Sequence, residues 1–208
     1  DLALATDPAV DVLHATTVIT ATATQDLAQF NLDFIGFEIT ELSVGGEPAA
    51  FEREDAELVI TPATPLSNGD EFEVTVVYTG TPEPVSSISA PFGIGWTDLG
   101  DEGSIAVSEP DGAHSWFPCN DHPADKATYS FQVTLPEQFE VATNGLAGEP
   151  IDNGDGTRTW ESETTSLTAS YLVTVAIGDF VFEDMDDVDG VTIRNVYDAS
   201  LAEDASID

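Results

Sequence analysis

Apolar and polar residues alternate with a period of two along much of the chain. Phe72, Val74, Val76 and Tyr78 are interleaved with Glu71, Glu73, Thr75 and Val77. Phe30, Leu32 and Phe34 are interleaved with Asn31 and Asp33, and Tyr129, Phe131, Val133 and Leu135 with Ser130, Gln132 and Thr134. A strand turns successive side chains to opposite faces, so each run reads as a strand with one buried and one wet face. Thr and Val, which suit a pleated surface, are abundant. No segment longer than two turns carries a helical stripe.

Turn chemistry punctuates these runs at Gly45-Gly46, Asn68-Gly69-Asp70, Asn144-Gly145 and Asn153-Gly154-Asp155-Gly156. Asn-Gly and Asp-Gly supply the positive φ that tight hairpins need. Strands are predicted over roughly 10–24, 28–35, 37–44, 57–61, 70–79, 92–96, 103–108, 126–135, 138–143, 157–163, 169–182 and 190–198. Short turns with no helices between them imply an all-β fold, antiparallel sheets packed as a multi-stranded β-sandwich. The 208 residues suffice for one large domain of this kind. It is expected to occupy residues 1–198. Residues 199–208 are expected to form an acidic tail or linker, and Thr81 to Ala90 a loop.

The charge of the chain is strongly one-sided. Asp and Glu number 40 against 4 Lys and Arg, a formal net charge of −36. The only bases are Arg53, Lys126, Arg158 and Arg194. Self-repulsion on this scale opposes the compact state and favours solubility. An extracellular setting or a salt-rich cytoplasm is expected. Nucleic acid and anionic membranes are excluded as partners, because both select a basic patch. No run of 18 apolar residues exists to span a bilayer.

Catalytic motifs are missing. A zinc peptidase needs paired histidines and a carboxylate with one position left for water. The chain has only His14, His114 and His122, no two of them four apart, and no His-Glu-x-x-His. His114 and His122 flank Cys119, but no second cysteine supports a metal site, so no ligand is assigned. Cys119 follows Trp116-Phe117-Pro118, an apolar setting in which a free thiol is usually buried and inert. Asp152-Asn153-Gly154-Asp155-Gly156, and the group Asp184, Asp186, Asp187 and Asp189, could offer oxygen to calcium. The first lacks the downstream Glu of an EF-hand loop, and solvated hairpin tips are the better reading of both.

One stretch carries more information than the rest. Glu109 is followed, eight residues on, by Phe117-Pro118-Cys119-Asn120-Asp121-His122-Pro123, and then by Lys126-Ala127-Thr128-Tyr129. This resembles the signature of the N-terminal domain of the aminopeptidase N family of zinc metallopeptidases. Ala142-Thr143-Asn144-Gly145, Ser170-Tyr171-Leu172 and Ile177-Gly178-Asp179-Phe180 resemble further motifs of that domain, in the same order.

The resemblance implies a saddle-like β-sandwich that docks on a catalytic domain absent from this chain. Zinc is expected in that catalytic domain and no cofactor in this one, so the chain alone should be inactive. The resemblance also implies that Glu109 helps to bind the free α-amino group of a peptide substrate. Phe117, Pro118, Cys119, Asp121, Pro123 and Lys126 are implied as the structural motif. Pro118 and Pro123 are expected to bracket a rigid loop, Asp121 to accept from backbone amides there, and Lys126 to pair with Asp121 or Asp125. Many family members have Arg after the Ala, where this chain has His114 after Ala113, so an ion pair made there is expected to be missing. The alternative is a stand-alone β-sandwich interaction module, calcium-stabilised through its Asp clusters and without peptidase activity.

Added salt shortens the screening length from about 10 Å at 0.1 M to about 3 Å at 1 M. The urea midpoint is therefore expected to rise with KCl. A midpoint that stays put across that range would remove salt adaptation.

Overall fold

The computed structural model describes residues 1–86 and 90–202. Nineteen strands, numbered in chain order, form five sheets among these residues. The largest sheet runs in the order β14 (Ile151–Asp152), β15 (Thr157–Glu163), β12 (Ser130–Pro136), β1 (Leu2–Asp7), β2 (Val12–Thr22), β8 (Glu71–Gly80), β4 (Glu38–Val44), β5 (Glu47–Pro48). A four-stranded sheet runs β13 (Glu140–Thr143), β17 (Val175–Gly178), β10 (Ser104–Val107), β9 (Gly95–Asp98). A three-stranded sheet runs β3 (Phe30–Asp33), β7 (Glu57–Thr61), β6 (Ala50–Glu54). Two ribbons complete the set, β11 (Lys126–Ala127) with β16 (Thr168–Ala169) and β18 (Phe180–Asp184) with β19 (Arg194–Asp198).

The alternation read from the sequence sets which face is buried. Val74, Val76 and Tyr78 of β8, and Phe131, Val133 and Leu135 of β12, are all 1% exposed or less. With Leu2, Leu4 and Leu13 they line the inner face of the large sheet. Leu32, Leu58 and Ile60 of the three-stranded sheet, and Trp96, Val141, Val175 and Ile177 of the four-stranded sheet, join the same buried cluster. Each such side chain contributes on the order of 1.5–3 kcal/mol by leaving water. The all-β expectation holds, with one amendment. β1 and β12 run parallel, with Leu2 beside Phe131 and Leu4 beside Val133, a pairing that only a long intervening chain permits.

Several elements were invisible in the pattern. The outer positions of β1 are alanines, so its contrast with Leu2 and Leu4 is weak. β6 is exposed at every residue and exists because it pairs with β7. The predicted strand 169–182 is broken by a 3-10 turn at Ser170–Leu172, and the predicted strand 126–135 divides into β11 and β12. The segment 92–96 is shifted, since β9 begins at Gly95. Within the predicted loop, Val85 forms a bridge with Ile94. After β19, Ala199–Ala202 is one helical turn, its first N–H donating to the Asp179 carbonyl at 2.8 Å. The rest of the expected tail lies outside the described residues.

Gly103 joins β9 to β10 at φ +126°, and a Cβ there would lie 2.0 Å from the Ile177 carbonyl oxygen. Gly103→Ala is expected to lower the unfolding free energy by about 2 kcal/mol or more, read by urea titration.

Candidate functional site

The motif loop crosses from the four-stranded sheet to the start of β11, and its aromatic residues anchor it. Trp116 and Phe117 are buried with ring centroids 4.5 Å apart, and Trp96 lies 5.8 Å from Trp116. The Tyr78 hydroxyl donates to the Trp116 carbonyl at 2.9 Å. Cys119 and Asp33 exchange backbone hydrogen bonds at 2.7 and 3.2 Å, which ties the loop to the end of β3.

Asp121 is the polar centre of this loop. Its Oδ2 accepts from the His114 backbone N–H at 3.2 Å and faces His114 Nδ1 at 2.8 Å. Its Oδ1 accepts from the Ser170 hydroxyl at 2.7 Å, and its own N–H donates to the Asp33 carboxylate at 2.7 Å. Burial works against the Asp121 carboxylate, whose side chain is only 5% exposed, but hydrogen bonds from His114 and Ser170 outweigh it and hold its pKa below the usual 3.8. The same contact holds the His114 imidazole above its usual 6.5 against burial, with the charges of Asp121, Asp33 and Asp111 adding to the effect. The backbone amide expected for Asp121 is thus that of His114. Where family members carry the arginine, His114 takes up a contact of its own with Asp121, which is an ion pair when the imidazole is protonated.

Glu109 stands at the other end of the loop. β10 ends at Val107, and Ser108 beyond it is 1% exposed. Gly112 N–H donates to the Ser108 carbonyl at 2.7 Å and closes a turn over Glu109, Pro110 and Asp111, all of them exposed. The Glu109–Pro110 peptide is cis. Trp116 Nε1 donates to Ser108 Oγ at 3.0 Å. Glu109 is therefore an exposed carboxylate on a buried stem. Ser108, Trp116, Asp33 and Ser170 were not singled out as hydrogen-bond partners, since each lies next to its partner only in the folded chain.

Lys126 does not pair as expected. Asp121 is engaged by His114 and Ser170, Asp125 accepts from Asn120 Nδ2 at 2.8 Å, and Lys126 is exposed with no ion pair among the described residues. Pro118 is buried and Pro123 exposed. Burial, reinforced by the charges of Asp121, Asp33 and Asp125, pushes the Cys119 thiol well up, which leaves it a poor nucleophile and metal ligand. With the His114 ring bound to Asp121 and His122 on the exposed segment, these residues do not fit a zinc site. Among the described residues, no three of His, Cys, Asp and Glu converge as metal ligands. The two Asp groups sit at hairpin tips. Gly154 N–H donates to Asp152 Oδ1 at 2.8 Å, and Asp184 is paired with Arg194 at 2.6 Å.

The family model for the peptidase M1 N-terminal domain matches residues 1–172. The chain is 27% identical over 131 residues to leucine aminopeptidase 2 of Vanderwaltozyma polyspora, covering 61% of this chain and 19% of that protein. It is 29% identical over 137 residues to glutamyl aminopeptidase of Homo sapiens, covering 62% and 14%. Its fold is similar to the M1 zinc metallopeptidase of Deinococcus radiodurans, with a TM-score of 0.86 at 27% identity, covering 96% of this chain and 46% of that one. The chain thus spans less than half the length of each of these proteins.

The His114–Asp121 pair makes stability depend on pH in both directions. A raised histidine pKa contributes fully below 6.5 and loses its contribution as pH rises through the folded value. A depressed aspartate pKa contributes above 3.8 and loses its contribution as pH falls through the folded value. The stability difference between wild type and His114→Gln is expected to peak between these two values and to shrink on either side. Urea titrations at a series of pH values check this.

Proposed function

Because the chain belongs to the peptidase M1 N-terminal domain family, we propose that it is the non-catalytic N-terminal domain of a zinc aminopeptidase. It docks on a catalytic domain and offers Glu109 to the free α-amino group of a peptide substrate. The named relatives are aminopeptidases and the structural neighbour is a zinc metallopeptidase. Coverage of 46% of that neighbour leaves room there for a second domain of similar size.

The observation that carries the reading is the placement of Glu109, whose carboxylate is exposed while the stem beneath it is buried and hydrogen-bonded. A fixed carboxylate facing an ammonium group makes a charge-assisted hydrogen bond. It also selects for a free N-terminus, since a blocked peptide leaves the carboxylate unpaired. Zinc bound in the catalytic domain supplies polarisation of the scissile carbonyl and an activated water. This chain contributes binding and orientation.

The test uses the complete protein that carries this domain. Hydrogen bonds to charged groups are worth about 1.5–3 kcal/mol, so Glu109→Ala is expected to raise KM for unblocked peptides roughly 10- to 100-fold. Preference for free over N-acetylated peptides should fall with it. Unchanged preference would remove the amine-binding role. A complete protein with no peptidase activity would favour the stand-alone module instead.

A further inference from the structure

We infer that Ser108 and Trp116 are positioning residues for Glu109, with the buried hydrogen bond from Trp116 Nε1 to Ser108 Oγ setting the direction in which the Glu109 carboxylate leaves the domain. The inference rests on the amine-binding reading of Glu109.

Ser108 is the last fixed residue before Glu109. It is 1% exposed, and its two side-chain and main-chain oxygens are both used. Oγ accepts from the Trp116 indole at 3.0 Å, and the carbonyl accepts from Gly112 N–H at 2.7 Å. The turn is thereby held at both ends, and only Glu109, Pro110 and Asp111 project into solvent.

Trp116 cannot drift to follow a moving serine. Its side chain is wholly buried between Trp96 and Phe117, its carbonyl accepts from Tyr78, and its N–H donates to Ala113 at 3.1 Å. The far end of the turn is equally fixed. A Cβ on Gly112 would meet Ile94 Cγ1 at 2.9 Å and the Gly95 nitrogen at 3.0 Å, so the backbone there is packed as closely as glycine allows. Ser115 Oγ donates to the Gly112 carbonyl at 2.7 Å and pins the same point from below.

A polar bond buried this deeply has two possible roles. It can satisfy the indole N–H within the core, or it can also aim the next residue. A carboxylate one residue from the anchor amplifies any tilt of the stem, and small misplacements of a binding group are costly to substrate recognition. The two roles separate when Glu109 is absent, because a positioning residue then has nothing to position.

The experiment is a double-mutant cycle on the complete protein, using unblocked peptide substrates. Ser108→Ala removes the acceptor and Trp116→Phe removes the donor while keeping a large ring. Each is expected to raise KM roughly five- to tenfold with kcat within about twofold, and to have no further effect on KM when combined with Glu109→Ala. Thermal midpoints should fall equally in both backgrounds. An equal rise in KM with and without Glu109, or no rise in either variant, would overturn the positioning role while leaving amine binding intact. If Glu109→Ala itself leaves KM unmoved, the amine-binding reading fails and the positioning role fails with it.

Discussion

The carboxylate of Asp121 joins three stretches of chain that are distant in sequence. Through it the start of the motif loop at His114, the 3-10 turn at Ser170 and, by way of its own amide, the end of β3 at Asp33 are held together. Removing an ion from water costs several kcal/mol, and that cost is offset only where nearly every acceptor site is filled. Asp121 meets this condition with two hydrogen bonds from His114 and one from Ser170. The loop between Ala113 and Asp121 therefore has little freedom to move without leaving a charge unpaired, and the Glu109 turn is built on the same loop.

Elsewhere in the domain, each arginine stacks on an aromatic ring and donates to backbone carbonyls, and two of the three also pair with a carboxylate. Arg53 donates to the Phe34 and Phe37 carbonyls at 2.6 and 2.8 Å and stacks over the Phe34 ring. Arg158 lies over Trp160, 4.8 Å from its centroid, and reaches Glu140 and the Phe139 carbonyl. Arg194 pairs with Asp184 and lies over Phe182. A planar guanidinium can stack and donate in several directions at once, which a lysine cannot do. Lys126, the single lysine, is left on the surface. With so few pairs against a net charge of −36, cohesion falls to the apolar cluster shared by three sheets.

Period-two alternation in β8 and β12 showed which faces are buried, because that property depends only on side-chain direction along a strand. The motif from Glu109 to Tyr129 was equally readable, and it led to the family that the match over residues 1–172 bears out. The lone cysteine was readable as buried, since its neighbours Trp116, Phe117 and Pro118 are apolar in any fold. What local pattern determined by itself was therefore strand faces, hairpin turns, the all-β class and the kinship of the chain.

Only the tertiary structure decided who pairs with whom. β1 is a weak pattern that becomes a central strand because β2 and β12 flank it, and it runs parallel to β12, which no local signal announces. Lys126 was expected beside Asp121 or Asp125, but His114 and Ser170 fill the first carboxylate and Asn120 donates to the second, and Ser170 lies 49 residues from Asp121 in the chain. The partnership of Ser108 with Trp116 likewise depends on how the turn folds back over the core. Strand faces follow from bonds between neighbours in sequence, which the sequence contains. Hydrogen-bond partners follow from competition among all groups brought together by packing, and that competition is settled only when the chain is folded.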